Sequence, residues 1–338
     1  RGRQLDAALS GKADLVDASR LIPRLRCTKS IEEIACVREA ARLSDLADQA
    51  AIDLLRPGAD EGEILAAQHA AIFAGGGDYP ANEVIIGSGA DALLCRYKSG
   101  RRKLAANDQL TLEFAGAYRH YHAAIMRTHI VGEPRALHLS YHAAAKEALL
   151  ACEAEFRPGR TAGDDYAAHA RVFDAHGLTS PRLNACGYAL GAKFTPSWMD
   201  PPMFYERNDW EIAENQVYFA HMILMDSASQ TALCLGRTYL VGEKGAEPLI
   251  PRFSARAPRE APVTSSVRRS GSRAKCSRAA DRASGSPILS PSSAGTTRCS
   301  TYGSSPSVAS PRDRSISLWS SRSCSRCSWC WCSTSRPS

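Results

Sequence analysis

The feature that most limits the possible fold is a pair of similar segments about a hundred residues apart. A helix predicted from Ser30 ends at Arg56-Pro57-Gly58, and a second one from about Leu139 ends at Arg157-Pro158-Gly159. The two Pro-Gly stops are 101 residues apart, and another glycine follows each of them by four residues. A repeat of this length is typical of an internal duplication and not of a solenoid. We therefore predict two related halves; the alternative is chance similarity of two helix-Pro-Gly-helix units.

Capping signals indicate where the first helix pair begins. Ser30 and Glu33 have the S-x-x-E spacing of a capping box. Small or apolar residues then recur three or four apart, as on one face of a helix. Asp60 is expected to cap the second helix, which runs to about Phe73.

Strand-like segments follow each helix pair, at 82–87 and 109–118 in the first half and at 217–225 and 232–241 in the second. In the segment 109–118, apolar residues alternate with Thr111 and Glu113, as on the two faces of a strand. The last two flank a polar turn and predict an antiparallel hairpin. Helices on one side of a curved antiparallel sheet give an α+β fold.

The chain changes composition near Phe253. Residues 254–338 carry 14 Lys+Arg against 3 acids and include 26 Ser, whereas residues 1–253 have 28 bases and 32 acids, a net charge of −4. Too few aliphatic residues remain in 254–338 to form a core, so we predict disorder there. The closely spaced cysteines at 324, 327, 330 and 332 lack a second ligand pair and do not predict a zinc site. A simpler hypothesis, which accounts for the whole composition of 254–338, is out-of-frame translation.

Charge and hydropathy also limit the partners. The basic residues belong to 254–338, so no basic stripe on the body indicates nucleic-acid binding. No apolar run of about 18 residues indicates a membrane span, and no pattern indicates a signal peptide. The six widely spread cysteines of the body favour reduced thiols and a cytoplasmic location.

Two segments carry a resemblance to a known superfamily. Leu110 to Thr128, LTLEFAGAYRHYHAAIMRT, and Cys186 to Gly191, CGYALG, in two αββ halves resemble the pita-bread fold of creatinase, aminopeptidase P, prolidase and other M24 peptidases. The resemblance covers about Asp14 to Leu249. It implies that 1–29 are the remnant of an N-terminal domain with its linker and that 30–253 form the catalytic domain. It also implies a homodimer for the full-length protein.

The peptidases of this superfamily bind two metal ions, and this chain departs from their ligand set at all five positions. The residues at those positions are Glu113, Ala124, Tyr188, His221 and one near Gly236. One glutamate and one histidine do not rebuild a site that needs several carboxylates. The segment Gly76 to Ala81, with Glu113 and Cys186-Gly187-Tyr188, looks most similar to the metal-free ectoine-hydrolase side. We therefore expect no metal and no other cofactor.

Metal-free hydrolysis of a C–N bond needs a group that activates water or attacks carbon, and a proton for the leaving nitrogen. Glu113, on the polar face of an otherwise apolar strand, is the predicted base; alternatively it is a carboxylate at the rim, paired with Arg127. His122 and His221 are the candidate proton donors, although a lone histidine in an apolar strand is most often a core residue.

The expected substrate is a small molecule or a dipeptide-like compound. Its candidate contacts are Asp78, Tyr79, Arg127, Tyr188 and Trp198, in which aromatic walls with polar tips suit a small zwitterion and the arginine suits a carboxylate. For Trp198 plain core packing is an equal alternative. Three functions stay open: a metal-independent C–N hydrolase, which we favour, a divergent Xaa-Pro metallopeptidase, and a non-enzymatic binding module.

Overall fold

An eight-stranded antiparallel sheet forms the centre of the protein. Its main path runs β1-β2-β3-β7-β6-β4-β5, and β8 pairs with β7. The strands are β1 (Ile85–Ser88), β2 (Asp108–Tyr118), β3 (Tyr121–Val131), β4 (Gly187–Ala189), β5 (Asp200–Met203), β6 (Val217–Asp226), β7 (Thr231–Val241) and β8 (Ala246–Pro248). The helices are α1 (Gly2–Leu9), α2 (Leu21–Cys27), α3 (Ile31–Ile52), α4 (Glu61–Ala74), α5 (Ala136–Glu155) and α6 (Ala162–Ala175), with a short 3-10 helix at Gly89–Leu93.

The computed structural model describes residues 2–14, 16–94 and 101–250, all of which belong to one unit, Arg1–Ala261. The disorder and the out-of-frame hypothesis for 254–338 therefore lie outside the described residues, as does Cys95. Among the described helices, none is both long and apolar enough to cross a bilayer.

The two predicted αββ halves are confirmed. The β2–β3 hairpin and the β6–β7 hairpin lie side by side, and β3 joins β7. Gly58 and Gly159 follow the prolines of the two stops and have φ values of +81° and +84°, a region in which glycine has no steric penalty. The residues that open α4 and α6 also form equivalent bridges, Asp60 with Lys103 and Thr161 with Glu211. The duplication therefore extends to backbone conformation and pairing.

The capping hydrogen bonds predicted for α3 and α4 are present. Ser30 accepts a hydrogen bond from the Glu33 N–H, and the Glu33 carboxylate accepts one from the Ser30 N–H. Asp60 caps α4 by accepting from the Gly62 N–H at 2.8 Å. The helix predicted from about Leu139 begins three residues earlier, at Ala136. The predicted hairpin is confirmed, with Asp226 opposite Thr231 at its turn.

The two faces of the sheet have different partners. On one face, α3 and α4 pack on the first half and α5 and α6 on the second, each pair over its own apolar core. The close approach of α3 requires Gly116, where an added Cβ would lie 2.3 Å from the Ala40 carbonyl oxygen. The other face, the inner face, carries a third cluster that includes Ala115, Ala124 and several aromatic rings. The candidate site lies on this inner face.

Candidate active site

A chain of two hydrogen bonds joins three of the predicted site residues. The Trp198 indole N–H donates to the Tyr188 hydroxyl at 2.9 Å, and that hydroxyl donates to Glu113 Oε1 at 3.2 Å. Trp198 is 1% exposed and Tyr188 2%, whereas Glu113 is half-buried. A phenol has a single proton, so the indole donor directs that proton to the carboxylate. This chain fixes the Glu113 side chain at the centre of the inner face.

His221 lies in the same cross-strand row as Glu113. Glu113 of β2 pairs with Met126 of β3, Met126 with Gly236 of β7, and Gly236 with His221 of β6. Three strand spacings correspond to roughly 14 Å between the outer Cα atoms in a flat sheet. Tyr188 spans part of this gap, since its ring centroid is 5.7 Å from that of His221. Glu113 and His221 therefore lie on the same face of the sheet, and Tyr188 contacts both of them.

His122, the other candidate donor, uses both ring nitrogens in backbone contacts. Its Nε2 accepts from the Ala81 N–H at 3.0 Å, and its Nδ1 lies 3.3 Å from the Gly191 carbonyl oxygen. The ring is fully buried, and burial lowers the pKa of His122 to about 4. A neutral imidazole that links the loop before β1 to the end of β4 favours a structural role.

Arg127 lies on the other face of the sheet from Glu113. It stands opposite Leu112, which belongs to the core under α3 and α4, and it donates to the Met126 carbonyl oxygen at 2.8 Å. Burial lowers the pKa of Arg127 to about 10, while the nearby carboxylate of Asp48 on α3 acts in the opposite direction. The structure therefore does not bring Arg127 together with the other predicted site residues.

Asp78 and Tyr79 lie in the loop after α4, toward the turn between β2 and β3. The Asp78 carboxylate accepts from the His120 N–H at 3.2 Å. Tyr79 is 76% exposed and packs edge-on against Phe73, with 4.7 Å between ring centroids. Neither belongs to the central hydrogen-bonded chain, so a substrate role for them stays a prediction.

Phe219 is a site residue that the sequence reasoning missed. Its ring packs against those of Tyr188 and His221, with centroids 5.2 and 5.6 Å apart. An added Cβ at Gly236 would lie 2.5 Å from Phe219 Cζ. The ring therefore occupies the space that a larger side chain at position 236 would need. The signal was available in the alternation of β6, since Phe219 and His221 are two residues apart and so share a face.

Comparison with known proteins identifies the family. The sequence profile described as metallopeptidase family M24 matches residues 35–246, which is more than half of the chain. The chain belongs to metallopeptidase family M24. The match covers both halves of the sheet and every predicted site residue.

Curated M24 relatives have different names. The chain is 24% identical over 246 residues to an ectoine hydrolase of Halomonas elongata, and this alignment covers 70% of this chain and 61% of the relative. It is 26% identical over 171 residues to an Xaa-Pro dipeptidase of Pyrococcus furiosus, which covers 51% and 49%. The chain thus spans half to about three fifths of the length of these relatives.

Solved structures of M24 proteins share the fold. The prolidase from Pyrococcus furiosus superimposes with a TM-score of 0.66 at 22% sequence identity, over 70% of this chain and 68% of that chain. The predicted pita-bread fold is thereby confirmed.

The residues that the resemblance places at the five metal-ligand positions do not form a donor set that fits a metal centre of the kind the family name implies. Of these five, Ala124 carries no donor and is fully buried. Gly236 has no side chain, and Phe219 fills the space beside it. The Tyr188 hydroxyl already joins Trp198 and Glu113. Within the described ranges, no three His, Cys, Asp or Glu ligand atoms meet at this position, whereas divalent ions at such sites need several carboxylates.

Proposed function

We propose that this M24 member hydrolyses a C–N bond of a small molecule without a metal ion at the site. The observation that carries the proposal is the set of residues at the five positions where the resemblance expects metal ligands. Two of them have lost every donor, yet Glu113, Tyr188 and His221 remain joined on the inner face. A site without catalytic function is not expected to retain a carboxylate that a buried phenol–indole pair holds in one orientation.

In the proposed reaction, Glu113 accepts a proton from a water molecule as the water oxygen adds to the carbonyl or amidine carbon, whose double-bond electrons move to its oxygen or nitrogen. When this adduct collapses and a C=O bond forms, the electrons of the C–N bond move to the leaving nitrogen, which takes a proton from protonated His221. The products are the amine and a carboxylic acid, or an amide when the substrate is an amidine, and the proton on Glu113 returns to His221 through solvent. Tyr188 acts as a positioning residue, because its hydroxyl holds the carboxylate while its ring contacts the imidazole ring. Glu113 and His221 are the two proposed catalytic residues.

Packing on the inner face supports a small substrate. Tyr188, Trp198 and Phe219 are all buried to 2% exposure or less and fill the centre of this face. Buried rings at this position favour a compact substrate over a peptide. Similarity to a relative named ectoine hydrolase points the same way. We propose a compact amide or cyclic amidine as the substrate class.

The test compares Glu113→Gln with the wild type in the presence and absence of a chelator, on ectoine and on an Xaa-Pro dipeptide. We expect chelator-resistant turnover of the small compound and at least about 100-fold loss in Glu113→Gln, the usual effect of removing a general base. Glu133→Gln is the matched control, because Glu133 is exposed and follows β3. It should keep wild-type activity.

Two outcomes would overturn the proposal. Xaa-Pro cleavage that is lost with the chelator and restored by Mn²⁺ or Co²⁺ would favour the peptidase alternative. A folded protein that binds a small ligand and turns over neither compound would favour a binding module. The homodimer of the full-length protein and the cytoplasmic location stay predictions.

A further inference from the structure

Three buried side chains with metal-ligating atoms meet behind the candidate active site. They are Cys152 of α5, Asp165 of α6 and Cys186, which directly precedes β4. Their ligand atoms all lie within 4.8 Å of one another, and each residue is 0% exposed. Both cysteines belong to the core that packs under α5 and α6, so this cluster lies on the other face of the sheet from Glu113.

The hydrogen bonds of this cluster leave one polar atom unsatisfied. The Cys186 thiol donates to Asp165 Oδ2 at 3.2 Å, and the Cys152 thiol donates to the Asp165 backbone carbonyl at 3.6 Å. Asp165 Oδ1 is buried and has no hydrogen-bond partner. An orphaned buried carboxyl oxygen is costly, and the proposed hydrolysis does not use it. The carboxyl group is therefore placed to bind something that the polypeptide itself does not supply.

The donor set indicates which ion fits. Two sulfurs and one carboxylate oxygen suit Zn²⁺, which binds thiolates at about 2.3 Å and carboxylates at about 2.0–2.2 Å. Ligands at these distances around one tetrahedral ion lie roughly 3.5 Å apart, which falls within the observed spacing. Mg²⁺ and Ca²⁺ prefer oxygen ligands alone. The cluster is thus suited to a thiophilic ion, in contrast to the carboxylate-rich site implied by the family.

A further donor lies one helical turn away. His169 is on the same face of α6 as Asp165, four residues on. It is 1% exposed, and its Nδ1 has no hydrogen-bond partner. His169 is a neighbouring donor that lies outside the group of three whose ligand atoms come within 4.8 Å of one another.

We propose that Cys152, Asp165 and Cys186 form a structural binding site for a thiophilic divalent ion such as Zn²⁺, separate from the hydrolytic site. Binding displaces the protons of both thiols, so the apparent affinity rises with pH. The ion would join α5 and α6 to the start of β4. The Cys186 carbonyl oxygen accepts from the His221 N–H at 2.8 Å, so the same clamp would hold the backbone of a proposed catalytic residue.

The experiment is a Co²⁺ titration of the reduced, metal-free full-length chain, followed by displacement with Zn²⁺. The six cysteines of 254–338 are replaced by serine in every protein compared, which removes competing thiols. We expect one Co²⁺ per chain with a thiolate-to-cobalt charge-transfer band. Cys152→Ser and Cys186→Ser each keep one thiolate, so they should show a clearly weaker band and bind at least tenfold more weakly. Cys234→Ser, a buried cysteine of the inner-face cluster, should bind like the parent.

Asp165→Asn keeps the shape of the side chain, so it tests whether weaker Co²⁺ binding results from a lost ligand and not from misfolding. It should bind Co²⁺ at least tenfold more weakly while its melting temperature in the absence of metal does not fall. Glu113→Gln should bind normally, which separates this site from the hydrolytic one. A folded parent without the band, or a band of undiminished intensity in Cys152→Ser and Cys186→Ser, would overturn the proposal. So would a parent protein isolated with a Cys152–Cys186 disulfide under reducing conditions.

Discussion

Replacing Asp165 by asparagine should change how stability depends on pH. Burial raises the pKa of Asp165 from its ordinary 3.8 to about 8. In the unfolded chain the group loses its proton above about pH 4, so between about pH 4 and pH 8 the folded state binds one more proton than the unfolded state. The free energy of unfolding must then fall as the pH rises through this window.

The size of the effect follows from the pKa difference. Four units at about 1.4 kcal/mol each correspond to roughly 6 kcal/mol over the whole window, and to about 4 kcal/mol between pH 5 and pH 8. This contribution is fully present below the unfolded pKa and is lost above about pH 8. An asparagine does not titrate, so Asp165→Asn should lack this loss and become the more stable protein at alkaline pH.

The assay is urea unfolding of the metal-free protein at several pH values, followed by tryptophan fluorescence. The difference between wild type and Asp165→Asn isolates this one group from the histidines that titrate in the same range. Asp6→Asn on α1 is the matched control, because Asp6 is exposed, and its curve should run parallel to that of the wild type. Parallel curves for wild type and Asp165→Asn would refute the reasoning.

Three further variants test the inner face and its surroundings. Tyr188→Phe removes the hydrogen bond to Glu113 but keeps the ring; the loss of about 1–3 kcal/mol should lower kcat/KM roughly 5- to 100-fold in steady-state kinetics, and an unchanged value would contradict the positioning role. Gly236→Glu would place Cβ 2.5 Å from Phe219, so it should cost about 1–3 kcal/mol in a melting experiment and not create Mn²⁺ binding by calorimetry. His122 has its pKa lowered to about 4 by burial, so stability should be lost as the pH falls from about 6.5 to about 4, by up to about 3 kcal/mol, and His122→Asn should show a smaller loss in acid unfolding.

Local signals in the sequence predict much of the fold. The Ser30 and Glu33 pair gave a helix start, and the repeated Arg-Pro-Gly stops gave the duplication, because each depends on neighbours along the chain. The paired strands of the second half were predicted from alternation around a polar turn. Such features need no knowledge of tertiary contacts.

The prediction fails where both faces of a strand are buried. Met126 and Arg127 of β3 are both buried, so alternation of polarity does not tell which of them faces the site. Arg127 was predicted as a substrate contact, although it lies on the other face of the sheet from Glu113. The partners of His122 come from two loops far apart in sequence. The distance between Cys152 and Cys186 in sequence hid the buried cluster for the same reason, since only the packing of α5 against the start of β4 brings them together.

The seam between the halves has a consequence for how the protein can change over evolution. β3 and β7 meet in a short register, Met126 with Gly236 and Arg127 with Leu235. Glu113 belongs to one half and His221 to the other, and each half has its own helices and core. Substitutions deep in either core can therefore accumulate independently, whereas a change at the seam shifts the proposed base relative to the proposed acid. Substitutions in the few residues of this seam should therefore affect both the rate of the proposed reaction and the stability of the fold.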